Sequence, residues 1–170
     1  YNPIFSYGAG SFYADSLAAG ADGVLIVDLP PEESREMTDC WEGDEAFALI
    51  RLVAPTTSRD RMKMIADYGS GFLYLVSKTG VTGSGGLEVG VVQNRVADLR
   101  GVTDLPICVG FGVSTPEEAG SLAPYVDGVV VGSAFERTIE ENVKSPDLMK
   151  KLEKQVQGYK AAMRKSLQKD

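Results

Sequence analysis

Three short segments carry residue types suited to holding an anion: Ser77-Lys78-Thr79-Gly80-Val81-Thr82-Gly83, Gly110-Phe111-Gly112-Val113-Ser114 and Gly132-Ser133-Ala134. Glycine lets backbone N–H groups come close to an oxyanion that a Cβ would hold off, and successive N–H groups form a concave cradle. The first segment continues to Gly86 and holds four glycines from Gly80 onward, with Ser and Thr among them. Such a loop can touch an anion and also move over it. Any one glycine-rich loop also reads as a mobile surface connection; three in succession, each after an apolar run, make a more specific pattern. Proton-transfer groups are scarcer, since the chain has no histidine, the side chain whose charge changes nearest neutral pH.

The elements that must position these turns are readable from periodicity and punctuation. Gly71 to Val76 is an apolar run of strand length, suited to burial on both faces of a parallel sheet. In chain order, Tyr1 to Gly8 reads as the exit of a strand, turned by Asn2-Pro3, and a helix follows over Gly10 to Ala19. Val24 to Asp28 reads as a short buried strand whose one charge lies at its end. Leu29-Pro30-Pro31-Glu32-Glu33 opens a helix, with proline tolerated and glutamate favoured in the first turn. Ala46 to Val53 is the next strand, and Thr57 and Asp60 have capping-box spacing ahead of a helix to Tyr68. Glu88 to Leu99 has amphipathic spacing through Val92, Val96 and Leu99. Pro106 to Val109 is a strand, Thr115-Pro116-Glu117-Glu118 a second capping box, and Gly128 to Val131 the last strand, with a short helix after Ser133. A terminal helix opens at Ser145-Pro146, with Leu148, Leu152, Val156, Tyr159 and Met163 on its packing face.

Regular strand–helix alternation with short connections implies α/β architecture with a parallel sheet and right-handed crossovers, either an open doubly wound sheet or a β/α barrel. In both, ligands bind at the carboxyl ends of the strands. Glycine turns after the last three strands, with a helix opening at Ser133, fit the phosphate site of a barrel, where backbone N–H groups and a helix N-terminus face an anion. Asp28, at a strand's carboxyl end, stands where barrels place catalytic groups, and equally reads as a turn or interface residue.

Composition narrows the partners. The chain has 170 residues, 44% hydrophobic and 24% charged, ordinary material for a single domain over 1–170. A net charge of −7 and a pI near 4.7 argue against nucleic acid, which requires clustered Lys and Arg. No apolar run reaches spanning length and no charged-then-apolar leader opens the sequence, so neither a membrane span nor a signal peptide is expected. Cys40 and Cys108 do not resemble a disulfide framework, and a reducing, cytoplasmic setting fits.

Taken together and in order, Asp28-Leu29-Pro30-Pro31-Glu32-Glu33, Ala54-Pro55-Thr56, Ser77 to Gly83, Gly110 to Ser114 and Gly132-Ser133-Ala134 resemble the tryptophan synthase alpha chain family over essentially the whole chain. Related phosphate-binding barrels share the glycine turns but not the Asp-Leu-Pro-Pro-Glu-Glu and Thr-Gly-Val-Thr-Gly pair. The resemblance implies a (β/α)8 TIM barrel and a lyase that cleaves indole-3-glycerol phosphate to indole and glyceraldehyde 3-phosphate in tryptophan biosynthesis. No metal or cofactor is implied, and the implied partner is a beta chain in an alpha2-beta2 tetramer. Carried over by position, it gives Gly83, Gly112, Gly132 and Ser133 to the substrate phosphate. Tyr74, Phe111, Leu25, Val27, Leu52 and Val130 line the indole pocket, and Thr82 orders the closing loop. Asn2, Pro3, Phe5, Asp28 and Pro30 face the beta chain. Lys78 stands where the family often has Arg, so planar bidentate geometry is lost there.

The chain departs from that pattern at its front. The retro-aldol cleavage needs an acid for the indole carbon and a base for the glycerol hydroxyl, and in the family these are a glutamate on the second strand and an aspartate in the loop after it. Five full strands with a strand stump ahead of them imply the C-terminal portion of the barrel, with the first two strands and most of the third missing. Both carboxylates are then expected upstream of Tyr1 and no catalytic residue lies in this chain. Such a piece has unpaired sheet edges at the stump and at Gly128 to Val131, which favour aggregation, and by itself it should not cleave substrate. Two other functions remain open on the residues alone: another phosphate-binding barrel enzyme, such as an isomerase of the same pathway, and a non-catalytic remnant that binds phosphate or a partner.

Overall fold

The computed structural model describes residues 1–41, 46–77 and 88–168. Five strands form one sheet in the order β1 (Gly23–Leu25), β2 (Ala48–Val53), β3 (Leu73–Val76), β4 (Ile107–Gly110) and β5 (Gly128–Val130), every neighbouring pair parallel. The helices between them are α3 (Arg35–Thr38), preceded by a 3-10 turn at Pro31–Glu33, then α4 (Arg59–Asp67), α5 (Val89–Arg100) and α6 (Pro116–Leu122). Two helices, α1 (Asn2–Tyr7) and α2 (Ala9–Ala18), come before the sheet, and α7 (Ser133–Asn142) and α8 (Leu148–Leu167) after it. Sequential order with parallel pairing requires every crossover to pass over the same face. The result is an α/β half-barrel.

Strand burial alternates accordingly. Val53 on β2, Leu73 and Leu75 on β3, and Ile107 and Val109 on β4 are buried against Met62 and Ile65 of α4, Val92, Val96 and Leu99 of α5, and Ala119 and Leu122 of α6. The opposite face is lined by Leu25 paired with Ile50, by the row Leu52, Tyr74, Cys108 and Gly128, and by the row Val76, Gly110 and Val130. Apart from buried Gly110, these positions are only half-buried. The apolar run at Gly71 to Val76 is therefore covered on one side, not both, because the described helices packed on it lie on the face of Leu73 and Leu75. A second core gathers Trp41, Phe47, Leu49 and Met37 with α1 and α2; Tyr13 stacks on Trp41 at 5.2 Å, and Phe47 meets both rings edge-on.

Several boundaries differ from the sequence expectations. Tyr1 to Gly8 is no strand exit: Asn2–Tyr7 is helical, its first turn closed by Ile4 and Phe5 N–H on the Tyr1 carbonyl, and Gly8 at φ 96° ends it. Proline reads as a turn there, yet it is equally at home in a helix's first turn, where no N–H bond is lost. Among the described residues the edge strands of the sheet are therefore β1 and β5, and no strand stump stands ahead of β1. The strand expected over Val24 to Asp28 pairs only through Leu25, and Val27 is 77% exposed. Ser58, not Thr57, caps α4 by accepting from Arg61 N–H, while Thr57 Oγ1 accepts from Ala54 N–H at 3.1 Å. α8 begins at Leu148, and Val156 is 40% exposed, so Gln155 takes its place on the packed face. Among the described residues, no helix is long and apolar enough to cross a membrane.

Arg51 is the unexpected core residue. Only 3% exposed, it sits among the buried positions of β2, with Nε donating to Tyr68 O at 3.1 Å and Nη1 to Leu29 O at 2.9 Å. Nη2 is buried without a partner among the described residues, and burial lowers the guanidinium's pKa. Its planar fork spans two carbonyls that a lysine's single ammonium cannot reach together. Arg51→Lys should therefore destabilise the fold by about 2 kcal/mol, the worth of a hydrogen bond to a charged donor. Urea denaturation with an unchanged midpoint would contradict the bridging role.

Candidate ligand-binding site

The carboxyl end of β4 carries strained backbone. Phe111 has φ 77° and Gly112 φ 87°. The left-handed region costs an L-residue such as phenylalanine on the order of 1–2 kcal/mol, so neighbouring bonds must hold it. They come from β3. Ser77 N–H donates to Gly110 O at 2.9 Å, Ser77 Oγ donates to Phe111 O, and a backbone hydrogen bond from Phe111 reaches the Tyr74 hydroxyl. Burial raises the Tyr74 pKa, and that backbone bond partly offsets the rise.

Behind this turn the chain is fixed again. Thr115 caps α6 in a reciprocal box with Glu118, whose Oε2 also accepts from Ser114 N–H at 2.7 Å. Tyr159 of α8, 4% exposed, donates to Ser114 O at 2.7 Å. Tyr159→Phe should cost about 1–2 kcal/mol, because the Ser114 carbonyl loses its buried donor; a thermal midpoint equal to that of the parent would contradict this.

The second turn follows β5. Gly132 is the N-cap of α7, and its carbonyl accepts from Phe135 N–H at 2.8 Å and Glu136 N–H at 3.2 Å. The N–H groups at the start of a helix have no partner within it and carry the positive end of its dipole. Gly132 and Ser133 are exposed, and a Cβ added at Gly132 would meet nothing within 4 Å, so open space lies before the turn. Gln155 of α8 donates to Ala134 O at 3.1 Å. Gln155 and Tyr159, one helical turn apart, thus tie both glycine turns to α8. Because β4 and β5 are parallel neighbours, the turns open at the same end of the sheet.

Of the residues expected to line an apolar pocket, Leu25, Leu52, Tyr74 and Val130 share the uncovered sheet face. Phe111 projects from the end of β4, 53% exposed, and Val27 stands beyond the paired part of β1. Gly110 explains how Tyr74 fits on that face. A Cβ there would lie 2.6 Å from Tyr74 Cζ and 2.9 Å from Val130 Cβ, so the ring occupies space that only glycine leaves free. Thr82 and Gly83, with Lys78, lie outside the described residues.

The surface residues are also near one another. Tyr1, next to Asn2 and Pro3 on α1, has its backbone nitrogen 2.6 Å from the Asp28 carboxylate. Phe5 is 58% exposed. A groove of about 370 Å³ between α1 and α2 is lined by Pro3, Ile4, Tyr7 and Phe12, and a cleft of about 320 Å³ by Asp28, Leu29, Pro30, Arg51 and Arg61. Sequence reasoning missed Gln155 and Arg51, gave Ser77 no role beyond its place in the glycine-rich segment, and assigned Tyr159 only to packing. Each acts through a hydrogen bond to a distant backbone carbonyl, which leaves no local pattern.

Fold and turns define a parallel β/α half-barrel whose glycine turns gather at the carboxyl ends of its last two strands. The chain belongs to the tryptophan synthase alpha chain family, whose sequence pattern matches residues 1–165. It is similar to the tryptophan synthase alpha chain of Desulfatibacillum aliphaticivorans, 63% identical over 164 residues, covering 96% of this chain and 62% of that protein. The alpha chain of Desulfosudis oleivorans is 59% identical, with 95% and 61% covered. Among solved structures, tryptophan synthase subunit alpha from Legionella pneumophila superposes with a TM-score of 0.82 at 32% identity, over 96% of this chain and 60% of that one. The chain thus spans about three fifths of the length of these relatives.

Proposed function

We propose that this chain is the substrate-holding portion of a lyase that cleaves indole-3-glycerol phosphate to indole and glyceraldehyde 3-phosphate in tryptophan biosynthesis. The observation that carries the reading is the meeting of two chemistries at one end of the sheet. The strained Gly112 turn and the α7 N-terminus at Gly132-Ser133 suit a phosphate, and the apolar face of Leu25, Leu52, Tyr74 and Val130, with Phe111 at its rim, suits an indole ring. In this reading the five strands are the last five of an eight-stranded (β/α)8 barrel forming one domain. The glutamate and aspartate that serve as acid and base belong to the remainder of the barrel, and no cofactor takes part.

Asn2, Pro3, Phe5, Asp28 and Pro30 then present the surface for a beta chain in an alpha2-beta2 assembly in the cytoplasm. Support comes from the exposed Phe5 ring and from the apolar groove beside it. Buried aromatic anchors typically contribute about 2 kcal/mol or more to an interface, so Phe5→Ala in an alpha chain carrying this sequence should weaken beta-chain binding by at least about tenfold. An unchanged dissociation constant would move the interface elsewhere. The 170-residue chain itself should bind indole-3-glycerol phosphate and release no indole from it, because a positioned acid and base each contribute roughly 10²–10⁴ in rate. Titration calorimetry together with an indole-release assay tests both halves. Absence of binding would overturn the reading of the site, and turnover would overturn the placement of the acid and base outside this chain.

A further inference from the structure

We infer that Ser77 is a positioning residue that aims the Gly112 N–H at the substrate phosphate. The inference rests on the proposed function and adds a residue to it. A trans peptide unit is planar, with its C=O and N–H pointing in opposite directions. The Phe111 carbonyl and the Gly112 N–H belong to one such unit, so a bond that fixes the first also fixes the direction of the second. Ser77 Oγ donates to the Phe111 carbonyl, and Ser77 is only 8% exposed.

The preceding peptide unit is held as well. Its carbonyl, Gly110 O, accepts from Ser77 N–H at 2.9 Å, and its N–H side, at Phe111, reaches the Tyr74 hydroxyl. One serine thus grips two successive peptide units on either side of Phe111, the one non-glycine residue with positive φ among the described residues. Without the hydroxyl, the unit between Phe111 and Gly112 is free to rotate towards unstrained dihedrals, and the Gly112 N–H swings away from the anion. The apolar face of the sheet does not depend on that rotation, since Leu25, Leu52 and Val130 are set by strand pairing.

The test separates phosphate from indole. Dissociation constants for glycerol 3-phosphate and for indole are measured on the parent chain, Ser77→Ala and Ser77→Thr, alongside thermal midpoints. We expect Ser77→Ala to bind glycerol 3-phosphate about tenfold more weakly, the worth of one hydrogen bond. Indole affinity should stay within about twofold, and Ser77→Thr, which keeps the hydroxyl, should recover most of the loss. Unchanged phosphate affinity in Ser77→Ala overturns the inference while leaving the proposed function standing. An equal loss for both ligands also overturns it, since a purely structural role would act on both. A parent chain that binds no glycerol 3-phosphate removes the proposed function and this inference with it. If Ser77→Ala does not fold, Ser77→Cys, of similar shape with a much weaker donor, is used for the same comparison and is expected to show the same selective loss.

Discussion

Gly112→Val should lower affinity for glycerol 3-phosphate by about tenfold to 100-fold while leaving indole binding nearly unchanged. Gly112 adopts φ 87°, which costs an L-residue about 1–2 kcal/mol, and a β-branched one more. The variant escapes that strain by turning the backbone, and the N–H facing the phosphate turns with it; a hydrogen bond to a charged group contributes about 1.5–3 kcal/mol. With the strain relieved, the lost bond sets the penalty at roughly one to two powers of ten in affinity. Calorimetric titration with each ligand checks this. A variant that binds glycerol 3-phosphate as the parent does would remove Gly112 from the site.

The second large effect concerns stability. Gly110→Ala should cost about 2–3 kcal/mol, at the upper end of overpacking penalties, because the new methyl meets the Tyr74 ring at 2.6 Å from Cζ, closer still at Oη, and Val130 at 2.9 Å. β4 cannot yield, being paired on both sides. The ring can, if it is made smaller. In the double variant Gly110→Ala with Tyr74→Ala, the penalty should fall short of the sum of the two single changes by about 1 kcal/mol or more, as expected for residues in contact. Denaturation of the three variants against the parent gives the cycle, and strict additivity would show that the ring is not what excludes the methyl.

Much of the scaffold was readable because its signals are local. The apolar runs of β2 to β5 have strand length and punctuated ends, α5 shows its apolar stripe at Val92, Val96 and Leu99, and the Thr115–Glu118 box is a matter of spacing alone. Local ambiguity produced the misses. Pro3 fits a turn or a helix start, and the sequence around Tyr1 to Gly8 has no apolar periodicity to decide between them. Thr57 and Ser58 both have cap chemistry, and only backbone geometry selects Ser58. The run Leu73 to Val76 cannot reveal that just one face is covered, since burial of a strand depends on where the helices lie.

The same division holds at the site. Gly112 and Gly132-Ser133 announced themselves by residue type, and the shared face of Leu25, Leu52, Tyr74 and Val130 is consistent with strand parity. The groups that hold the turns did not. Ser77 grips Phe111 across 34 residues and Tyr159 grips Ser114 across 45, and no short-range pattern encodes bonds of that reach. Arg51, an arginine within an apolar strand, was a visible anomaly whose purpose became clear only with the carbonyls of Leu29 and Tyr68 around it.

The central claim is that the two glycine turns hold a phosphate beside an apolar face that holds an indole. Backbone amide chemical shifts of the isotopically labelled chain, followed during titration with indole-3-glycerol phosphate and then with glycerol 3-phosphate, test it directly. The account predicts that both ligands move the amides of Gly112, Gly132 and Ser133 most, and that only the indole-bearing ligand also moves Leu25, Leu52, Tyr74 and Val130. Saturable binding that leaves the Gly112, Gly132 and Ser133 amides unmoved would contradict it.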